Sequence, residues 1–247
     1  MLKRYAAIGV LIVAMFVTTG CADTTVAGMT PNQTFAKPQT AQLVEAVMGG
    51  NYTEADKLLA QGVDVNAVGA EDLTPLLWVL SASHFDEKKL EYLLKAGANP
   101  NFQEKKYHAS AMYFAVNNHD DSLLKLLLKN GGNPSLIGEF WGEDTSLLQV
   151  AAINSYVEII TILVNAGADV NYLDKRGRSA AFYLVENGRF DLVIYLMNHG
   201  LVAGLDALPQ TILRNIQVHV KDEMQIWKDK LLVMLKERGA KFTLDKK

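Results

Sequence analysis

Few residues in this 247-residue chain could do chemistry, and they are scattered. It has one cysteine, Cys21, and five histidines: His84, His108, His119, His199 and His219. The histidines lack the short spacing that converges on a metal, and one cysteine supplies neither a disulfide nor a thiolate zinc site. No nucleophile elbow, phosphate-binding glycine loop or dinucleotide fingerprint occurs. Carboxylates are dispersed. The pair Asp120-Asp121 falls at the expected start of a helix, where the dipole favours acids, so a cap is its simplest role. The expectation is a protein with no enzymatic activity, cofactor, resident metal or small-molecule substrate.

Cys21 is the exception, because of what precedes it. Lys3 and Arg4 lead into twelve apolar residues, Ala6 to Val17, followed by Thr18, Thr19 and Gly20. Twelve is too few to span a bilayer, which takes about 20 apolar residues. A basic start, a short apolar stretch and then small residues describe a secretory leader. Small side chains before the cysteine admit a peptidase, and the thiolate is a nucleophile suited to acyl transfer. This arrangement resembles a bacterial lipobox, although Thr18 stands where that motif usually has leucine. The resemblance implies a leader over 1–20, lipid (palmitate and related acyl chains) on Cys21, and a periplasmic protein anchored through that lipid alone. Two or three acyl chains make a stable anchor where one does not. Ala22, in place of Asp, implies the outer membrane of a Gram-negative cell. The alternative is an ordinary signal or anchor with an incidental cysteine.

Residues 21–40 are rich in Thr, Ala, Gln, Pro and Gly and show no apolar period, so they read as a flexible tether, with Pro31 and Pro38 as helix breakers. Residues 41–247 repeat. Gly62-Val-Asp-Val-Asn66, Gly97-Ala-Asn-Pro-Asn101, Gly131-Gly-Asn-Pro-Ser135 and Gly167-Ala-Asp-Val-Asn171 recur at intervals of 35, 34 and 36, each behind a leucine-rich helical stretch. A second marker keeps the beat: Thr74-Pro-Leu-Leu, Ser110-Ala-Met-Tyr, Ser146-Leu-Leu-Gln and Ser179-Ala-Ala-Phe. Glycine suits the left-handed position that ends a helix, and Thr or Ser supplies the hydroxyl that caps the next one.

Two markers in register over about 200 residues resemble the ankyrin repeat, a unit of about 33 residues with a turn and two helices. The resemblance implies an all-α, ankyrin-repeat solenoid of about six helix-turn-helix repeats with hairpin loops. The first repeat is a cap without its turn portion, and a divergent sixth runs from about Asp206 to Leu244. The histidine of the family's TPLH motif is missing throughout, replaced by Leu77, Tyr113, Gln149 and Phe182, so its hydrogen bonds must be lost or rerouted. Trp78 and Trp227 lie in helical patterns and are expected in the core.

What remains for function is a surface. Lys and Arg total 24 against 27 Asp and Glu, a net charge of −3 that becomes −5 once Lys3 and Arg4 leave with the leader. With no basic run to neutralise phosphates, nucleic acid is not expected as a partner. The family binds other proteins through hairpin tips and the edge of its inner helices. Carried over by register, that surface includes Asn117, Asn118, Asn154 and Asn187 on the helices and Tyr107, Arg176 and Arg178 at the tips. The asparagines could equally form a solvated face. One tip differs: from capping glycine to marker there are 12, 13, 15 and 12 residues, and the longest connector carries Phe140-Trp141 beside Glu143 and Asp144. An aromatic pair in an elongated loop is expected to anchor a partner, unless Trp141 folds back on a neighbouring tip. Ankyrin-type lipoproteins occur among the immunity proteins that neutralise antibacterial lipase effectors delivered by type VI secretion. A secreted phospholipase is therefore the most concrete partner the resemblance implies; scaffolding or stress protection of a resident periplasmic protein is the alternative.

Overall fold

The computed structural model describes residues 24–83, 85–105, 108–140, 142–214 and 222–240. Among them the chain is all-α apart from one hairpin, and it divides into two compact units, 24–114 with 125–132 and 115–124 with 133–240.

In the first unit, α1 (Pro31–Thr34), α2 (Pro38–Met48), α3 (Tyr52–Ala60), α4 (Pro75–Ala82) and α5 (Glu87–Lys95) follow in order. The inner helices α2 and α4 pack on each other, with α3 and α5 outside them. Composition explains the division of labour. The inner helix α4 buries nearly every residue from Pro75 to Ala82, so it is apolar all round. The outer α5 buries only Leu90, Leu93 and Leu94, a stripe at helical spacing, and turns its charges outward.

Residues 24–40 are not a loose tether. Val26 bridges to Met29, Val26, Thr34 and Phe35 are buried, and α1 forms with Gln33 Oε1 accepting the Thr30 N–H at 2.9 Å. Pro31 and Pro38 start helices instead of breaking them, because proline at the first helical position loses no hydrogen bond. Gly69 shows how tightly this strap is seated: a Cβ there would lie 2.6 Å from the Thr34 carbonyl oxygen and 2.9 Å from Phe35 Cδ1. A polar composition without apolar period concealed the two apolar side chains, Val26 and Phe35, that hold the segment down.

Two helices, α6 (Ala111–Asn117) and α7 (Asp121–Lys129), contribute to both units. In the second unit the hairpin of β1 (Ile137–Phe140) and β2 (Glu143–Ser146) precedes α8 (Leu147–Asn154), α9 (Val157–Asn165), α10 (Ala180–Glu186), α11 (Phe190–Asn198), α12 (Leu208–Arg214) and α13 (Asp222–Glu237). The inner helices α8, α10 and α12 pack in succession, and α11 packs on α13. Trp78 is buried as expected. Trp227 is not: it is 36% exposed with Lys230 Nζ 5.1 Å over its ring. The helix buries Leu231 and Leu235, and Trp227 lies one turn short of that stripe.

The repeating motif has a physical explanation. Gly62, Gly97, Gly131 and Gly167 all adopt positive φ of 87–93° at the ends of outer helices. Two residues on, the carboxylate or amide oxygen of Asp64, Asn99, Asn133 and Asp169 accepts the N–H of the residue two further along, a tight turn each time. The final asparagine then reaches the next repeat: Asn66 Nδ2 donates to the Gly97 carbonyl, Asn101 to Gly131 and Asn171 to Gly200. Where Ser135 replaces asparagine, its hydroxyl instead accepts the Asp169 N–H at 2.8 Å. At Gln149 the loss of the TPLH histidine is compensated. Gln149, fully buried, donates from Nε2 to the Arg178 carbonyl at 2.7 Å and accepts the Ser146 N–H.

The expected caps form at three markers. Thr74, Ser110 and Ser146 accept the N–H of Leu77, Tyr113 and Gln149. Ser179 does not follow: its buried hydroxyl makes no hydrogen bond.

Candidate functional site

The long third connector is the β1–β2 hairpin, in register Ile137↔Ser146 through Phe140↔Glu143, turning at Gly142 with φ +78°. Leu147 N–H donates to the Leu136 carbonyl and so ties the hairpin base to α8. The backbone of Phe140 sits in the last pair before the turn. Trp141 lies outside the described residues, as do Tyr107, Cys21 and the leader.

The hairpin is braced by the tip of the following repeat. Glu143 accepts from Arg178 Nη2 at 2.6 Å and forms a second ion pair with Arg176. Asp144 pairs with Lys175 at 3.1 Å. Behind these pairs lies Asp174, which sequence reasoning missed. Its carboxylate is buried and accepts Arg178 Nε at 2.7 Å, the Tyr183 hydroxyl at 2.9 Å and the N–H groups of Arg176 and Arg178 at 2.8 and 2.9 Å. Burial opposes the charge on Asp174, yet hydrogen bonds from Arg178 and its neighbours hold its pKa below the ordinary carboxylate value. Burial and Asp174 together push the Tyr183 hydroxyl well above its usual pKa. The Arg178 guanidinium also lies 5.1 Å over the Tyr183 ring. The signal for Asp174 was available in Asp-x-x-x-Arg across a tip, but it looks like any exposed i,i+4 pair until burial is known.

Of the sequence candidates, Glu143, Asp144, Arg176 and Arg178 therefore converge. Arg178, however, bridges Glu143 and Asp174 and is largely enclosed, so it organises the tip from within. Arg176 and Lys175 remain mostly exposed. The four asparagines divide. Asn187 Nδ2 donates to the Ile153 carbonyl at 2.8 Å and to Ser155 Oγ at 3.1 Å, stitching α10 to the end of α8. Asn154 is exposed and donates to the Val150 carbonyl of its own helix. Asn117 is half-buried and Asn118 exposed. Beside them His119 stacks on Tyr156 at 4.4 Å with its Nε2 3.6 Å from Glu158.

Among the described residues no group of three or more His, Cys, Asp and Glu is placed to hold a metal, and no helix is long and apolar enough to cross a membrane. Paired helices, glycine-ended outer helices and projecting hairpin tips define a helical-repeat protein whose reactive feature is its surface. The family of ankyrin repeats, in three copies, matches residues 43–137 and 113–207, and the chain belongs to that family. Ankyrin repeats are protein-interaction modules, which makes binding another protein the role of this fold. The chain is also 30% identical over 155 residues to protein lin-12 of Caenorhabditis elegans; the match covers 58% of this chain and 11% of that much longer relative.

Proposed function

We propose that the protein is a lipid-anchored periplasmic binding protein that captures another protein with the β1–β2 hairpin and the adjoining tip. Its most concrete role is immunity: occlusion of the active-site cleft of a secreted antibacterial phospholipase. The observation that carries the binding reading is the braced hairpin. Ion pairs from Arg176, Arg178 and Lys175 to Glu143 and Asp144 brace β2, so the ribbon that precedes α8 is preformed and loses little ordering entropy on binding. The anchor reading rests on Cys21 behind its leader-like segment, and it suits a toxin that attacks phospholipid from the periplasm.

The test is capture of the partner from periplasm with the mature chain, paired with toxin challenge of a deletion strain. Trp141→Ala should weaken the complex by about 2 kcal/mol, roughly thirtyfold in Kd. Unchanged affinity removes the hairpin from the interface, and unchanged toxin sensitivity after deletion removes immunity. Palmitate labelling that persists in Cys21→Ser refutes the anchor.

A further inference from the structure

The seating of the strap decides where a lipid on Cys21 would put the protein. Thr24, where the described chain starts, already lies against the repeats. With Thr30, Pro31 and Asn32 it lines a shallow pocket whose other wall is Glu45 and Met48 of α2 and Trp78 of α4. The residues that follow are pinned. Val26 is fully buried and exchanges two backbone hydrogen bonds with Met29, each 3.0 Å. Asn32 Nδ2 donates to Glu45 Oε1 at 2.6 Å, which stitches the strap to α2, and Phe35 is buried beside Gly69. Burying an apolar side chain of this size is worth about 1.5–3 kcal/mol, so Val26 and Phe35 together hold the segment down.

Cys21 lies outside the described residues, but covalent geometry limits its distance from them. Three peptide links join it to Thr24, and at 3.8 Å per link the two Cα atoms are at most about 11 Å apart. A loose segment over 21–40 would instead give a root-mean-square span of about 25 Å. We propose that the first unit sits directly on the phospholipid headgroups, with the start of the strap as its membrane-facing surface; this rests on the reading of Cys21 as the lipid anchor. The exposed residues there, Thr24, Ala27, Gly28, Asn32 and Gln33, carry no charge, so they neither attract nor repel an anionic headgroup layer. The short link sets the position, and affinity for lipid does not. The protein therefore works at the bilayer surface instead of sweeping a shell of space above it, which suits a partner whose substrate is the bilayer.

Cys21 is the sole cysteine, so the chain beginning there can be coupled through it to a maleimide bearing two hexadecyl chains. Its height over a supported bilayer of phosphatidylethanolamine and phosphatidylglycerol is then read by neutron reflectometry. The expected water gap between the headgroups and the nearest protein density is no more than about 10 Å. A twelve-residue Gly-Ser spacer between Asp23 and Thr24 leaves every described contact in place and should widen the gap by about 10 Å or more. A parent gap of about 15 Å or more, or a gap that the spacer does not change, overturns the proposal. Cys21→Ser, which cannot be coupled, should stay off the bilayer; if it adsorbs, affinity for lipid sets the position and the proposal falls. Because the chains are attached chemically, the gap does not depend on acylation in a cell. Persistent palmitate labelling of Cys21→Ser therefore refutes the anchor reading and leaves the measured gap as it stands.

Discussion

The strap before the first repeat and the tip shared by the fourth and fifth repeats are both additions to a bare helical pair, and they are held by opposite means. The strap is fastened by burial: Val26, Thr34 and Phe35 are enclosed, and the backbone passes so close to Gly69 that no side chain fits between. The tip is fastened by charge: three cations and three carboxylates interlock, and only Asp174 among the acids is buried. Apolar burial is indifferent to salt and acid, whereas exposed ion pairs are screened by salt and lost on protonation. The difference separates a permanent wall from a surface whose geometry answers to its surroundings.

The comparison can be broken most decisively at Phe35. Phe35→Ala should cost about 3 kcal/mol in urea unfolding, the usual toll for emptying a buried aromatic site, with no dependence on ionic strength. A cost below about 1 kcal/mol would mean the strap is laid on the repeats without contributing to them. At the tip, Asp174→Ala leaves Arg178 short of its enclosed partner and two backbone N–H groups unmet, for an expected loss of about 2–3 kcal/mol. Acid sharpens this case. The folded pKa of Asp174 is depressed, so its contribution is complete above the ordinary carboxylate range and disappears as pH falls through the depressed value. Stability measured from pH 6 down to about 2 should therefore fall less steeply in Asp174→Asn than in the parent, a change Phe35→Ala should not produce.

Smaller effects test the stitching. Asn171 donates to the Gly200 carbonyl and accepts the N–H groups of Val202 and Ala203, so Asn171→Ala should cost about 1–2 kcal/mol and speed amide exchange at 202 and 203. Arg176 is mostly exposed, and Arg176→Ala should change stability by no more than about 0.5 kcal/mol at low salt and by nothing measurable at about 1 M. A larger, salt-resistant loss would place Arg176 with Asp174 in the buried set.

How much of this was legible in sequence depended on whether the information was local. Gly62, Gly97, Gly131 and Gly167 announce helix ends because the left-handed backbone they adopt is set by their own missing Cβ. Thr74, Ser110 and Ser146 announce helix starts because the cap is made three residues away. Ser179 looked identical and makes no cap, and nothing in its neighbours records that. Residues 24–40 were misread because two buried side chains in a polar segment make no period. In the candidate site, the length of the third connector was visible and its hairpin followed. The enclosure of Arg178 by Asp174, Tyr183 and Glu143 joins positions up to 35 residues apart and was not visible.

The sequence by itself determined the repeat: its period, its helix ends, its tight turns and hence its family, all of which are properties of backbone preference and of contacts a few residues apart. Only the tertiary structure decided which polar residues are surface and which are skeleton. Arg178 looks like an exposed recognition residue and is largely enclosed between Glu143 and Asp174, whereas Asn187 stays exposed while also hydrogen-bonding to the end of α8. The physical reason is that burial and pairing are set by which repeat stacks on which and by where the strap folds back, and neither is written in any single repeat.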